Sequence, residues 1–440
     1  MTHYETARQE AIQTLARGES MAAFRKFRWV LEYPSQLESQ QWSDALDLFA
    51  QISAAIAGQE FADKIRQVAN NPENPNALYA LGYELIEQSL PGIAATVLAR
   101  AYAIAPGSEV ILTELSTALE MVGLHLEACQ FLRAAPELLE ESFLCRYLLA
   151  FNSLMTGDLD EPSRLLPLLQ QSRESDYIYM TQRIAGMLQR ADVLRGVARL
   201  NQQDLRGWHF VVNGTLLLHL SPYGFNEGMN GRYAYIQDSN KLILEGIQRL
   251  LAVLNAWNVS VPRVFVLPDR NSAILAHAVA QVLHCPLEEW SIKGSQSPGL
   301  IVAYDLEELT SELLLQLHEH RPGQLLWSHA TCWTKEPPFA ADLQTYLYQT
   351  NISPWEKGTT INAEPDTALP QRLSSASNEE LATHIVESIA PESLNDLQEL
   401  VAISQAVQTL AGPHAAGAFR QEGQRRRQEN SSPVASSRFL

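Results

Sequence analysis

The chain has 440 residues, 46% of them hydrophobic and 19% charged, with a formal net charge of −18. That length is too great for one core and implies two or three domains, and the apolar content excludes a broadly disordered chain. The acidity argues against nucleic acid and anionic lipid as partners, and Arg425, Arg426 and Arg427 read as part of a solvated tail rather than a binding patch. No stretch approaches the roughly 18 apolar residues of a membrane span. Met1 to Glu10 lacks the basic start and apolar run of a signal peptide. A cytoplasmic protein without membrane insertion is therefore expected. Cys129, Cys145, Cys285 and Cys332 form no CxxC pair and read as core thiols.

In chain order, apolar periodicity predicts helices over 4–17, 20–32, 41–56 and 58–70, with Phe24, Phe27, Trp29 and Val30 as the apolar stripe of the second. From Asn76 a helix opens that carries Leu81, Gly82 and Leu85. A second helix follows with Ala94, Leu98 and Ala101, and Pro106 closes it. Shifting by 34 residues brings Leu112, Leu115, Ser116 and Leu119 onto the first helix and Ala128, Leu132 and Ala135 onto the second. A further shift brings Leu149, Ala150 and Ser153, then Leu166. Pro72 precedes Pro106 by one period. Small residues at Gly82 and Ala94 let paired helices approach, and Ala101 lets the next pair dock.

This pattern resembles the tetratricopeptide repeat family, most closely at Leu81, Gly82, Leu85, Ala94, Leu98, Ala101 and Pro106. The resemblance implies a solenoid over 1–200 whose groove holds a peptide or helix of a partner protein. The later repeats depart from the pattern: Ser116 stands for the glycine, and Pro162 for a small helical residue. Lysine is absent from 66–240, which argues against the lysine-dependent carboxylate clamp of some family members.

From Leu205 the pattern changes. Trp208–Val212 and Thr215–Leu220 read as strands around an Asn213-Gly214 hairpin turn. A glycine-rich loop, Tyr223 to Gly231, and a helix from Ser239 to Trp257 come next. Short apolar strands at 263–267, 299–304 and 324–329 then alternate with helices at 271–283 and 307–320. This predicts an α/β domain over 205–350 with a mostly parallel sheet. Ligands of such sheets bind beyond the carboxyl ends of the strands. Asp269, Arg270, Asn271, Ser272, Asp305 and Glu307 are the candidate ligand-binding residues there, with helix N-capping by Asp269, Asn271 and Asp305 as the alternative.

Val264 to Pro286 and Leu300 to Asp305 faintly resemble the type I phosphoribosyltransferases. That resemblance implies a transferase using magnesium, but Leu306-Glu307-Glu308-Leu309-Thr310 replaces the family's glycine- and threonine-rich phosphate loop and adds negative charge. His318, His320, His329 and Cys332 suggest half a zinc site with no second half, so no metal and no cofactor is expected. Residues 351–377 read as a loop, 378–411 as a C-terminal helical cap (helices at 378–389 and 392–410), and 412–440 as a disordered tail. The expected function is an interaction scaffold or adaptor with a non-catalytic α/β domain. The alternative is a glycosyl- or phosphoribosyltransferase-like enzyme whose repeats recruit a protein.

Overall fold

Capping residues and apolar spacing set the helices of the first half. At the start of the fifth, the Asn74 side chain accepts from the backbone N–H groups of Asn76 and Ala77 at 3.0 and 3.2 Å, and Pro75 occupies the first turn, where its missing N–H costs nothing. The computed structural model describes residues 3–291, 295–335, 337–357, 372–373, 375–389, 396–410 and 423–436. It divides into two units, 1–184 and 185–440.

The first unit consists of α1 (His3–Ala16), α2 (Ser20–Leu31), α3 (Ser39–Ile56), α4 (Gln59–Asn70), α5 (Pro75–Glu87), α6 (Pro91–Ile104), α7 (Glu109–Met121), α8 (His125–Arg133), α9 (Pro136–Glu141), α10 (Phe143–Met155) and α11 (Asp160–Leu169), with α12 (Ser175–Val193) running across the division. From α1 to α8 each helix packs on the next. Alternate helices also touch, α5 against α7 and α7 against α10. Leu78, Leu81 and Leu85 of α5, Ala94, Leu98 and Ala101 of α6, and Leu112, Leu115 and Leu119 of α7 are buried. Pro162 lies in the first turn of α11, where no intrahelical N–H is required, so the helix tolerates it. The short α9 has no counterpart in the 34-residue pattern.

The second unit is an α/β fold: α13 (Leu205–Asn213), β1 (Leu216–Leu217), β2 (Tyr233–Gln237), α14 (Asn240–Ala256), β3 (Val264–Val266), α15 (Arg270–Leu283), β4 (Leu287–Glu289), β5 (Gly299–Asp305), a 3-10 turn (Leu306–Glu308), α16 (Ser311–His318), β6 (Glu319–His320), β7 (Gln324–Cys332), β8 (Leu343–Ile352), β9 (Glu356–Lys357), β10 (Arg372–Leu373), α17 (Asn378–Val386), α18 (Leu397–Val407) and β11 (Gly423–Gln424). Its main sheet is parallel throughout, in the order β4-β3-β5-β7-β8, with β1 and then β2 on the far edge of β8.

Phe265, Ile301 and Leu326 line one face and pack with Leu313 and Leu317 of α16. On the other face α15 lies against β3 and β5, and α14 approaches His329 and Thr345 at Gly246. Burial on both faces explains the near-continuous apolar run of β5, whereas β7, buried throughout, also carries Gln324, Ser328, His329 and Thr331. The helices α17 and α18 pack on α14 and α15. Among the described residues no helix is long and apolar enough to cross a membrane.

Three expectations need correction. Trp208–Val212 is helix, not strand. The Asp204 side chain caps its start from Gly207 N–H at 2.8 Å. Gly214, at φ 70°, takes the left-handed position that ends it, and the Arg190 guanidinium donates to the carbonyls of Phe210, Val211 and Val212. Asn213-Gly214 is thus a helix end rather than a hairpin turn. Secondly, the ten-residue strand β8 lies between the third expected strand and the expected loop. Of that loop, 351–357 and 372–373 form strand ends and a small β9–β10 pair, while 358–371 lies outside the described residues.

Thirdly, 423–436 is not a free tail. Its β11 pairs antiparallel with β6. Arg425, 4% exposed, pairs with Asp342 at 2.6 Å. Gln428 accepts from Gln344 at 2.7 Å, and Arg232 donates to Ser432 and Val434. Residues 411–422 and 437–440 lie outside the described residues.

Candidate functional site

The sheet order places a switch point between β3 and β5: the chain leaves β3 toward β4 on one side and returns to β5 on the other. Crevices at such points, outside the carboxyl ends of the strands, are where open α/β sheets bind ligands. Two of the expected segments meet there, Asp269–Ser272 after β3 and Asp305–Glu308 after β5, joined by a hydrogen bond from Asn271 Nδ2 to Glu308 Oε2 at 2.7 Å.

Each side chain also has a structural task. Asp269 Oδ1 accepts from Ser272 N–H at 2.8 Å and caps α15. Asp305 Oδ1 accepts from Glu307 N–H at 2.9 Å and caps the 3-10 turn, while its Oδ2 accepts from the Tyr348 hydroxyl. Arg270 donates to Ala376 O at 2.9 Å, and Ser272 Oγ accepts from Tyr304 N–H at 2.9 Å. Asn271 Oδ1 accepts from the Trp355 indole. Glu307 pairs with Lys335 at 2.9 Å. Two carboxylate oxygens, Asp269 Oδ2 and Glu307 Oε1, are buried without a partner.

Burial pushes the Asp305 carboxyl up to about 7, against the downward pull of the Tyr348 hydroxyl and the Glu307 N–H. The same burial, and then Asp305 itself, raises Tyr348. Asp269 is raised by burial, and its cap bond to Ser272 partly offsets that. Glu308 is pushed upward by its surroundings and by repulsion from Asp305, Asp269 and Glu356. Its side chain reaches solvent, which screens that push. An aspartate that titrates near neutrality at a switch point can hold or release a proton there. Among the described residues no group of three or more His, Cys, Asp or Glu side chains is placed to hold a metal ion.

Tyr348 and Trp355 were not singled out from the sequence. The alternation of Tyr346 and Tyr348 in β8 was the available signal.

The other candidates do not converge on this place. The Tyr223–Gly231 loop closes on itself through Ser221 N–H to Gly231 O at 2.8 Å, and Asn230 donates to Ala435 O at 2.8 Å. His329 is buried against Asp238 at 3.1 Å, and Asp238 also accepts from the Tyr304 hydroxyl at 2.8 Å. His320 lies 3.7 Å from Asp342, and His318 stacks on Phe339. Cys332 contacts Thr334, and all four cysteines are free thiols, three of them buried.

In the first unit the packing residues lie together. A Cβ added at Gly82 would fall 2.5 Å from Leu98 Cγ, so α5 and α6 meet at a distance that only glycine permits without a shift. Ser116, at the equivalent place on α7, is buried and returns its hydroxyl to Leu112 O at 2.8 Å. Pro106 follows the end of α6. No family model matches the chain, and no curated protein matches it in sequence. Both resemblances therefore rest on these residues alone.

Proposed function

We propose that this chain is an interaction scaffold whose first unit, a tetratricopeptide-like stack of helix pairs, holds a partner polypeptide, and whose α/β unit is non-catalytic. The observation that carries the reading is the exposure of large apolar side chains on two touching helices, α5 and α7: Tyr83 is 48% exposed, Val110 54% and Met121 52%. Exposed side chains at i and i+11, as Val110 and Met121 are on α7, run along one helix face. Where exposed apolar side chains form a contiguous patch, they mark a contact surface. The non-catalytic reading draws support from the switch point, where Asp269, Asn271 and Asp305 act as caps and cross-links.

The test is quantitative capture from source-cell extract by the full chain and by a variant carrying Tyr83→Ala and Met121→Ala. A protein held by the parent and lost by the variant, with the circular dichroism melt unchanged, supports the reading. Equal capture by both would refute it.

A second reading, a glycosyl- or phosphoribosyltransferase-like enzyme, draws on the meeting of Asp269–Ser272 and Asp305–Glu308 at the switch point, where burial pushes the Asp305 carboxyl up. Binding of phosphoribosyl pyrophosphate to the parent but not to Asp305→Asn, by isothermal titration, would favour it over the first.

A further inference from the structure

Helix α5 presents Tyr79, Tyr83 and Glu87 outward, between the buried positions Leu78, Leu81, Gly82 and Leu85. Helix α7 presents Val110 and Met121 outward, with Glu114 half-buried between them. The two helices touch, and their outward residues are neighbours across the contact: Tyr79 feels the charge of Glu114, and Glu114 that of Glu87. Burial and then Glu87 hold the Glu114 carboxyl above its usual range. The exposed Glu87 and the half-buried Glu114 are like charges that repel each other, and among the described residues no cation pairs with either.

The neighbouring basic residues are already engaged. From Gln67 to Leu132, Arg100 is the only lysine or arginine. Its guanidinium sits 4.3 Å over the Trp42 ring and donates to Leu37 O at 2.6 Å. Lys64 is paired with Glu84 at 2.8 Å. Among the described residues Glu87 and Glu114 have no ion-pair partner.

We infer that the α5–α7 strip takes a basic, apolar peptide segment, a lysine or arginine lying between Glu87 and Glu114 against the tyrosine rings, and aliphatic side chains lying on Val110 and Met121. The inference rests on the scaffold reading and names the chemistry of its partner. A cation from the peptide relieves the repulsion between the two carboxylates, and tyrosine faces attract cations independently of the carboxylates. An acidic segment, such as the C-terminal carboxylate of a clamp ligand, would be repelled here.

The experiment pans a random dodecapeptide display library against the full chain, then measures synthetic versions of the enriched clones by fluorescence anisotropy. The expected clones carry lysine or arginine beside aliphatic residues. Their affinity falls roughly tenfold on Glu87→Gln with Glu114→Gln, and weakens further with added salt. Tyr83→Ala is the second variant, and the melt of each variant is compared with the parent. Acidic or neutral clones, or basic clones indifferent to all three substitutions, would overturn the inference and leave the scaffold reading standing. A panning that enriches nothing would overturn both.

Discussion

Gly82→Ala isolates the physics of the α5–α6 contact. The added Cβ would lie 2.5 Å from Leu98 Cγ, 2.6 Å from Cδ2 and 3.1 Å from Cδ1, and Leu98 is fully buried. Overpacking of this kind costs about 1–3 kcal/mol. Alanine in place of glycine inside a helix returns about 1 kcal/mol. The net is a loss of up to about 2 kcal/mol, against the gain that helix propensity alone would give.

Leu98→Ala by itself leaves a cavity and costs about 2–5 kcal/mol. The double variant removes the three atoms the new Cβ would meet, so the two losses should fall short of adding by about 1 kcal/mol or more. Hydrogen–deuterium exchange on the α5 and α6 peptides of the full chain reads this locally. A Gly82→Ala chain with slower exchange there, or a double variant whose losses simply add, would refute the close-approach reasoning.

Two further outcomes follow from the second unit. Burial raises the Asp342 carboxyl, but Arg425 and then His320 more than offset it and leave it below its usual range. This folded-state pKa is depressed, so its stability contribution is present above the unfolded value and is lost as pH falls through the carboxylate range. Arg425→Ala should cost about 3–5 kcal/mol by stranding a buried charge. It should also flatten the acid limb of a urea-unfolding pH series; a loss under about 1 kcal/mol would show that the 423–436 segment does not hold the unit together. Asp305 has the opposite sign. Its folded pKa is raised to about 7, so its contribution is present below the unfolded carboxylate value and fades as pH rises toward and past 7. Asp305→Asn should therefore lessen the fall in unit stability between pH 5 and about 8; an unchanged slope would exclude Asp305 as its source.

Much of the helical half was legible because its signals are local. Asn74, Pro75 and the spacing of Leu78, Leu81 and Leu85 define α5 within a dozen residues, and the expected 20–32 and 41–56 match α2 and α3 to within two residues. The strand-end candidates were legible for the same reason: Asp269 and Asp305 stand where an apolar run meets a helix start. Trp208–Val212 was misread because α13 is buried all round, and a short apolar run buried on every side carries no period to separate helix from strand.

Strand β8 was missed because Gln344 and Thr345 look like loop residues until their partners are known. Those partners, His209, Gln428 and Trp327, come from distant parts of the chain. The bound course of 423–436 was equally illegible, since Arg425 reads as solvated until Asp342 is placed 2.6 Å away. The sequence by itself determined the first helices, which of their faces are apolar, and that strands alternate with helices in the second half. Only the tertiary structure decided the sheet order, the switch point that gathers Asp269 and Asp305, and the fate of the C-terminal segment. Each of these depends on pairings between residues far apart in sequence, whose free energy is absent from any local window.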